Sequence, residues 1–271
     1  MKGISSKIYT VLIFVFLYAP IAVLILYSFN SGRSTAVMEG FSLRWYSELF
    51  NDGETLAALK NTLIVAVSSS VLATVMGTAA AAGIFRYKSK WVKTSLLTVT
   101  NIPMMNPDIV TGISLMLLFV FAGTLVNKTG TLGFTTLIIA HTTFNLPYVI
   151  LSVLPKLRQT DKHLSEAAQD LGCTAVSAFF RVVIPAIMPG IVTGLIMSFT
   201  LSLDDFVISY FVSGPTSQTL PIRIFTMTKK RVTPDMYALS TLIFLAVLVM
   251  LILVNVSQVR GDKKRRKTSK V

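Results

Sequence analysis

Cysteine, histidine and acid are scarce in this 271-residue chain. A single cysteine, Cys173, excludes an intrachain disulfide and a cysteine metal cluster. Two histidines, His141 and His163, are too few for a histidine metal centre. Only 14% of the residues are charged, well below the roughly 25% of a soluble globular domain. No phosphate loop of the form G-x-x-x-x-G-K-[ST] occurs, and no nucleophile–base set or metal-ligand cluster stands out. Enzyme chemistry on this chain is therefore not expected.

Apolar residues fill the space left, at 53% of the chain with a mean hydropathy of +0.69. That balance points to a membrane protein. A formal charge of +13 would point to nucleic acid in a soluble domain. Here the ends of membrane spans are the natural place for it. The tail "RGDKKRRKTSKV" alone holds seven basic residues and one acid.

A span needs about 20 largely apolar residues. Six segments qualify, at about 8–30, 60–85, 94–123, 132–154, 185–212 and 236–259. The first starts with charge, as a signal peptide does, but its apolar run is too long and no cleavage site follows, so it reads as a retained helix. With the N-terminus inside, 17 Lys and Arg residues fall on inner segments and 8 on outer ones. Both termini are therefore expected in the cytoplasm. The expected organisation is an all-α membrane protein. It has an N-terminus at 1–7, a six-helix domain over 8–259, a cytoplasmic loop at 155–184 and a basic tail at 260–271. The basic residues near 229 run against the charge rule.

The inner loop reads "TDKHLSEAAQDLGCTAVSAFFRVVIP" over residues 160–185. Asp161 suits a helix start and Gly172 a helix stop. A second short helix is predicted from Thr174 toward Arg181, before Pro185 opens the fifth span. Glu166, Ala167, Ala168, Gly172 and Pro185 resemble the EAA signature of ABC importer permeases of the MetI-like family. The departures are Val182 and Ile184, where the family has Ile and Leu. The resemblance implies that this elbow docks on a separate ATPase, which binds ATP and Mg; no cofactor is implied on this chain. Small Ala167 and Ala168 permit close approach, and Glu166 offers a carboxylate to a basic partner.

Further segments, among them "YAPIAVLILYSFN", "NPDIVTGISLMLLF", "SFTLSLDDFVISYFVSGP" and "LPIRIF", look like those of PotC-type spermidine/putrescine permeases. This wider resemblance covers nearly all six spans. It implies a PotB-like second permease, a PotA-like ATPase dimer and an external PotD-like polyamine-binding protein, in the bacterial inner membrane.

Asp108, Asp204 and Asp205 lie within or near spans, where a carboxylate costs roughly 2.5–3.5 kcal/mol. Such an acid is a functional candidate. Counted along continuous helices at ~1.5 Å per residue, Asp108 and Asp204 each lie about 22 Å from the inner boundary, with a kink expected from Pro103 and Pro107. Asp204 and Asp205 point about 100° apart, so one faces a path and the other caps, hydrogen-bonds or meets a partner. Phe206, Tyr210 and Tyr148 are aromatic candidates for the path, by cation–π attraction. Trp45 and Tyr46 suit either an interfacial belt or contact with a binding protein. His141 and Asn145 share a helix face and are expected to bond to neighbouring helices. A permease for an amino acid, an anion or a metal chelate is the alternative; a secondary transporter is disfavoured, because no inverted repeat is visible.

Overall fold

The computed structural model describes residues 2–32, 37–127, 130–161, 163–230, 234–249 and 252. The tail 260–271 and most of the predicted sixth span beyond 249 lie outside them, as do Arg33, Lys128, Lys162 and Arg231. The described residues are nearly all helical and include no strand, only an isolated bridge between Asn30 and Phe41. In order they form α1 (Lys2–Tyr27), α2 (Arg44–Asn51), α3 (Gly53–Arg86), α4 (Lys90–Met105), α5 (Asp108–Leu125) and α6 (Phe134–Gln159). Then come α7 (His163–Asp170), α8 (Ala175–Ala178), a π turn (Phe179–Val183), α9 (Ile184–Asp204), α10 (Val207–Val212), α11 (Leu220–Lys230) and α12 (Pro234–Val249). Five segments are long and apolar enough to cross a membrane: Ser6–Tyr27, Gly53–Arg86, Asp108–Leu125, Phe134–Gln159 and Ala175–Asp204. Helix α12 is apolar and shorter.

Two predicted spans are each divided. The 94–123 segment is α4 and α5, separated at Asn106–Pro107. Pro107 carries no amide and forces the residue before it out of the helical region; Asn106 is extended, at φ −81° and ψ 137°. Asp108 therefore opens the first turn of α5 instead of lying deep in one continuous helix, and the 22 Å estimate for it does not apply. The 185–212 segment breaks after Asp204, where Asp205 is extended at φ −64° and ψ 120°.

The chain divides into two compact units, Ala58–Ile222 and the pair Met1–Ala57 with Arg223–Val271. In the latter, the segment after α1 is organised by Asn30, which is fully buried. Its Nδ2 donates to the Val37 carbonyl at 2.8 Å, its Oδ1 accepts from the Glu39 amide at 2.9 Å, and its carbonyl accepts from Trp45 Nε1 at 2.6 Å. The Tyr46 hydroxyl is 2.7 Å from Ser28 Oγ, and its ring packs on Phe29. Trp45 is buried and donates to the Asn30 carbonyl. Its indole anchors this loop, and the Tyr46 hydroxyl turns inward beside it. The Arg223 guanidinium pairs with Asp52 at 3.3 Å and with Glu54. Partial burial pushes the Asp52 carboxyl up, but the Thr55 hydroxyl, the Glu54 amide and Arg223 together hold it below its ordinary value.

The other unit is built on α6 against α9. Small residues recur every fourth position of α9, at Gly190, Gly194, Ser198 and Ser202, and let the backbones close up, as packing inside a membrane requires. A Cβ at Gly194 would stand 3.2 Å from the Cα of Val149, and one at Gly190 would stand 2.9 Å from the Ser152 carbonyl oxygen. Gly190→Val should therefore push the helices apart and lower stability by roughly 1–3 kcal/mol, the usual cost of overpacking. Thermal unfolding of the detergent-solubilised protein measures it; an unchanged midpoint would contradict this tight packing.

Apolar clusters occupy both ends of this helix pair. One joins Ala73, Ala81 and Ile84 of α3 to Val149, Val153 and Leu157 of α6 and Ile187 of α9. The other joins Val65 of α3 to Leu137, Ala140 and Phe144 of α6 and Ile208 and Val212 of α10. Between them along α3 and α6 lies a polar layer.

Candidate functional site

That polar layer surrounds the break in the fifth span. The first amides of α10 have no partners within their own helix. Asp205 supplies them: Oδ2 accepts from the Ser209 amide at 2.8 Å and from Ser209 Oγ at 2.9 Å, while Oδ1 accepts from the Ile208 amide at 3.3 Å. His141 Nε2 lies 3.5 Å from the same Oδ2 and 3.0 Å from Ser209 Oγ. Its Nδ1 lies 3.0 Å from Ser202 Oγ, which also accepts from Asn145 Nδ2 at 2.8 Å and sits 3.0 Å from Ser69 Oγ. His141, Asn145, Ser69, Ser202 and Ser209 are all buried. The expectation that His141 and Asn145 bond to neighbouring helices is met by these distances. Among the described residues, Asn145 Oδ1 and Ser198 Oγ are buried in this layer without a hydrogen-bond partner.

The two adjacent aspartates part company at this break. The side chain of Asp205 is only 9% exposed and belongs to the helix interface. Asp204, the last residue of α9, is exposed. On the far side of the break the Phe206 and Tyr210 rings lie 5.5 Å apart and the Tyr210 and Phe211 rings 5.6 Å apart, with Tyr210 half exposed.

Asp108 reaches the same neighbourhood through the packing of α5. A Cβ at Gly112 would meet the Phe211 ring at 2.8 Å and the Ile208 Cα at 3.5 Å. Further along, Val120 and Thr124 share a cleft of about 600 Å³ with Ser213 and Pro215. The two helices therefore run side by side in the same direction. Asp108 opens α5 one turn before Gly112, and Asp204 ends α9 just before the break that leads into α10, so both acids lie toward the starting end of the α5–α10 pair. Both are exposed, and the Tyr148 ring lies 5.6 Å from that of Phe144. This arrangement offers carboxylates and aromatic faces together, the chemistry that receives a flexible organic cation. Among the described residues no three His, Cys, Asp or Glu side chains converge as a metal-ligand set.

The elbow follows α6, which runs on to Gln159 and so takes up the first residues of the predicted loop. The Asp161 carboxylate accepts from the His163 amide at 3.0 Å and starts α7. Glu166 is exposed, 2.9 Å from His163 Nδ1, whereas Ala168 is buried. Gly172 has φ +88°, and the Cys173 amide donates back to the Ala168 carbonyl at 3.1 Å, closing the helix in a Schellman turn. Thr174 Oγ1 then accepts from the Ser177 amide and starts α8. The second predicted helix is not separate: it runs through the π turn into α9. Pro185 has no amide for the Arg181 carbonyl, and the wider turn before it absorbs that fault. Phe179 lies under the Arg86 guanidinium at 5.8 Å, which ties the elbow to the end of α3. Leu171, Val176 and Phe180 project into the open.

Ser69, Ser202 and Ser209 were not among the residues singled out by charge or aromaticity. Ser202 alone has a positional signal: with Ser198 it continues the four-residue spacing of Gly190 and Gly194.

Residues 73–267 match the family model for the inner membrane component of binding-protein-dependent transport systems. The chain is 38% identical over 252 residues to the putrescine transport system permease protein PotI of Escherichia coli strain K12, covering 93% of this chain and 90% of PotI. It is 39% identical over 240 residues to the spermidine/putrescine transport system permease protein PotC of the same strain, covering 89% and 88%. Its fold resembles that of a chain in the crystal structure of a bacterial ABC transporter that imports the acidic polysaccharide alginate, with a TM-score of 0.73, 18% identity and 94% of each chain covered.

Proposed function

The chain belongs to the family of inner membrane components of binding-protein-dependent transport systems, and from that premise we propose that it forms part of the translocation path of an ATP-driven polyamine importer. It is a multi-pass transport subunit of the ABC importer class, and not an enzyme. The cargo follows from two supports that agree: PotI and PotC, similar along some nine-tenths of this chain, are named for putrescine and spermidine, and the broken fifth span exposes Asp204 across the break from aromatic rings.

The exposed acid carries the mechanism. A polyamine presents ammonium groups separated by methylene stems, so carboxylates receive the charges while Phe206, Tyr210 and Tyr148 receive the stem and the cation faces. Asp108 and Asp204 form one transient station. Release requires that its affinity stay modest, so selection falls mainly to an external binding protein of the PotD kind.

A second, PotB-like permease completes the path. A PotA-like ATPase dimer holds ATP and Mg and docks on the elbow, where Glu166 offers the charge, Ala167 and Ala168 the close approach, and Leu171, Val176 and Phe180 apolar contact. In this arrangement the elbow and both termini face the cytoplasm.

Uptake of labelled putrescine into proteoliposomes containing the whole complex tests the reading. Uptake is expected to require internal ATP and to be competed by excess spermidine, but not by a neutral amino acid. Uptake driven by an ion gradient without ATP would mark a secondary transporter, and absence of competition by polyamines would assign another cargo.

A further inference from the structure

The hydrogen bonds around His141 have only one consistent direction when the imidazole is neutral. Ser209 has a single hydroxyl proton and gives it to Asp205 Oδ2 at 2.9 Å. Its contact with His141 Nε2, at 3.0 Å, must then have the imidazole as donor. With the ring proton on Nε2, Nδ1 accepts, and the donor is the Ser202 hydroxyl at 3.0 Å. Ser202 has now given its proton, so its two remaining contacts are received, from Asn145 Nδ2 at 2.8 Å and from Ser69 Oγ at 3.0 Å, the latter in preference to the longer 3.5 Å contact of Ser69 Oγ with the Ala66 carbonyl. Donors on α3, α6, α9 and α10 therefore run in series toward one carboxylate, Asp205. Chains of this kind polarise one another and fix geometry more firmly than isolated bonds.

The carboxylate at the end of the chain is also the group that satisfies the first amides of α10. The position of the break, and with it the direction of Asp204 one residue earlier, depends on where Asp205 is held. We infer that His141 is a positioning residue of the transport site: acting through Ser209 and Asp205, it holds the α9–α10 break so that Asp204, and not Asp205, is presented to the passing cation. This inference rests on the reading of Asp204 as part of the polyamine path. Adjacent acids thereby acquire separate tasks, one tied into the protein and the other left for the cargo.

The test uses the reconstituted full complex, with putrescine as probe, and compares His141→Ala, His141→Gln, Ser209→Ala, Asp204→Asn and the His141→Ala/Asp204→Asn double variant. Glutamine can offer an amide N–H to Ser209 and an amide oxygen to Ser202, so it replaces both contacts of the neutral ring. His141→Ala is expected to lower uptake about 10-fold, and His141→Gln to recover it to within about threefold of the parent. Ser209→Ala, which keeps the histidine and removes the link, should resemble His141→Ala. On the Asp204→Asn background His141→Ala should cost almost nothing more, because residues acting as one unit are not additive. A glutamine variant as impaired as the alanine one, or losses that multiply in the double variant, would reduce His141 to a packing role and overturn the inference. Should His141→Ala fail to assemble, Ser209→Ala and His141→Gln decide in the same way. Normal uptake by Asp204→Asn alone would instead remove the path reading beneath it, a separate and recognisable failure.

Discussion

Replacing Gly172 with valine is expected to reduce ATP-driven uptake to background while the chain still inserts in the membrane. A Cβ at this position meets nothing within 4 Å, so crowding is not the fault. The fault is the backbone: φ is +88°, a region that a β-branched residue enters only at a cost of roughly 1–3 kcal/mol. The chain escapes that strain by rotating out of the left-handed conformation. The Cys173 to Ala168 bond then breaks and α7 swings relative to α8. The elbow presents Glu166 at one end and Leu171 and Val176 around the bend, so a swing separates groups that meet one partner surface together in the proposed docking. Glu166→Ala leaves the bend intact and removes one exposed carboxylate, so its loss should be smaller, about 10-fold if a charge-assisted bond to the ATPase is lost. Co-purification of the ATPase, followed by uptake and ATP hydrolysis on the same preparations, reads both. Full uptake by Gly172→Val would remove the elbow from the coupling mechanism.

The elbow is legible in the sequence because its chemistry is local. Asp161 starts a helix, Gly172 ends it, and Glu166, Ala167 and Ala168 lie within one turn of each other, so no distant contact is needed to place them. The number of apolar segments is legible for a similar reason, since the bilayer sets their length. The breaks are harder to read. The two aspartates of "LSLDDFVISY" interrupt an otherwise apolar run without marking a helix end, and what divides α9 from α10 is a set of hydrogen bonds ending on Asp205 from residues as distant in the chain as His141. Pro103 and Pro107 predict a kink in the third span, and two prolines four residues apart do not say by themselves that the helix ends at the second and that a new one, packed at Gly112 against Ile208 and Phe211, begins there. The contact made by Trp45 is equally hidden. An aromatic pair in a polar outer segment looks like an exposed anchor, but burial of Asn30 supplies a carbonyl that only the folded loop presents to the indole.

Asp204→Asn should lower polyamine uptake about 10- to 100-fold, whereas Asp205→Asn should act first on stability. The substitution is the same, with almost no change in volume, and the two sites are adjacent; the difference lies in their partners. Asp204 is exposed at the end of α9, so amidation there removes a negative charge from the path and little from the fold. A charge-assisted hydrogen bond is worth about 1.5–3 kcal/mol, and each 1.4 kcal/mol corresponds to a factor of ten. At Asp205 both oxygens already accept bonds, from the Ile208 amide, the Ser209 amide and Ser209 Oγ. An Asn amide turns one acceptor into a donor facing another donor, and a buried group is left unsatisfied. Uptake and thermal unfolding of the same solubilised complexes therefore separate the two. Asp204→Asn is expected to lower uptake at an unchanged midpoint, and Asp205→Asn to lower the midpoint. The reverse pattern would mean that the passing cation meets Asp205, and that in the working complex the bonds from α10 give way to open the interface around it.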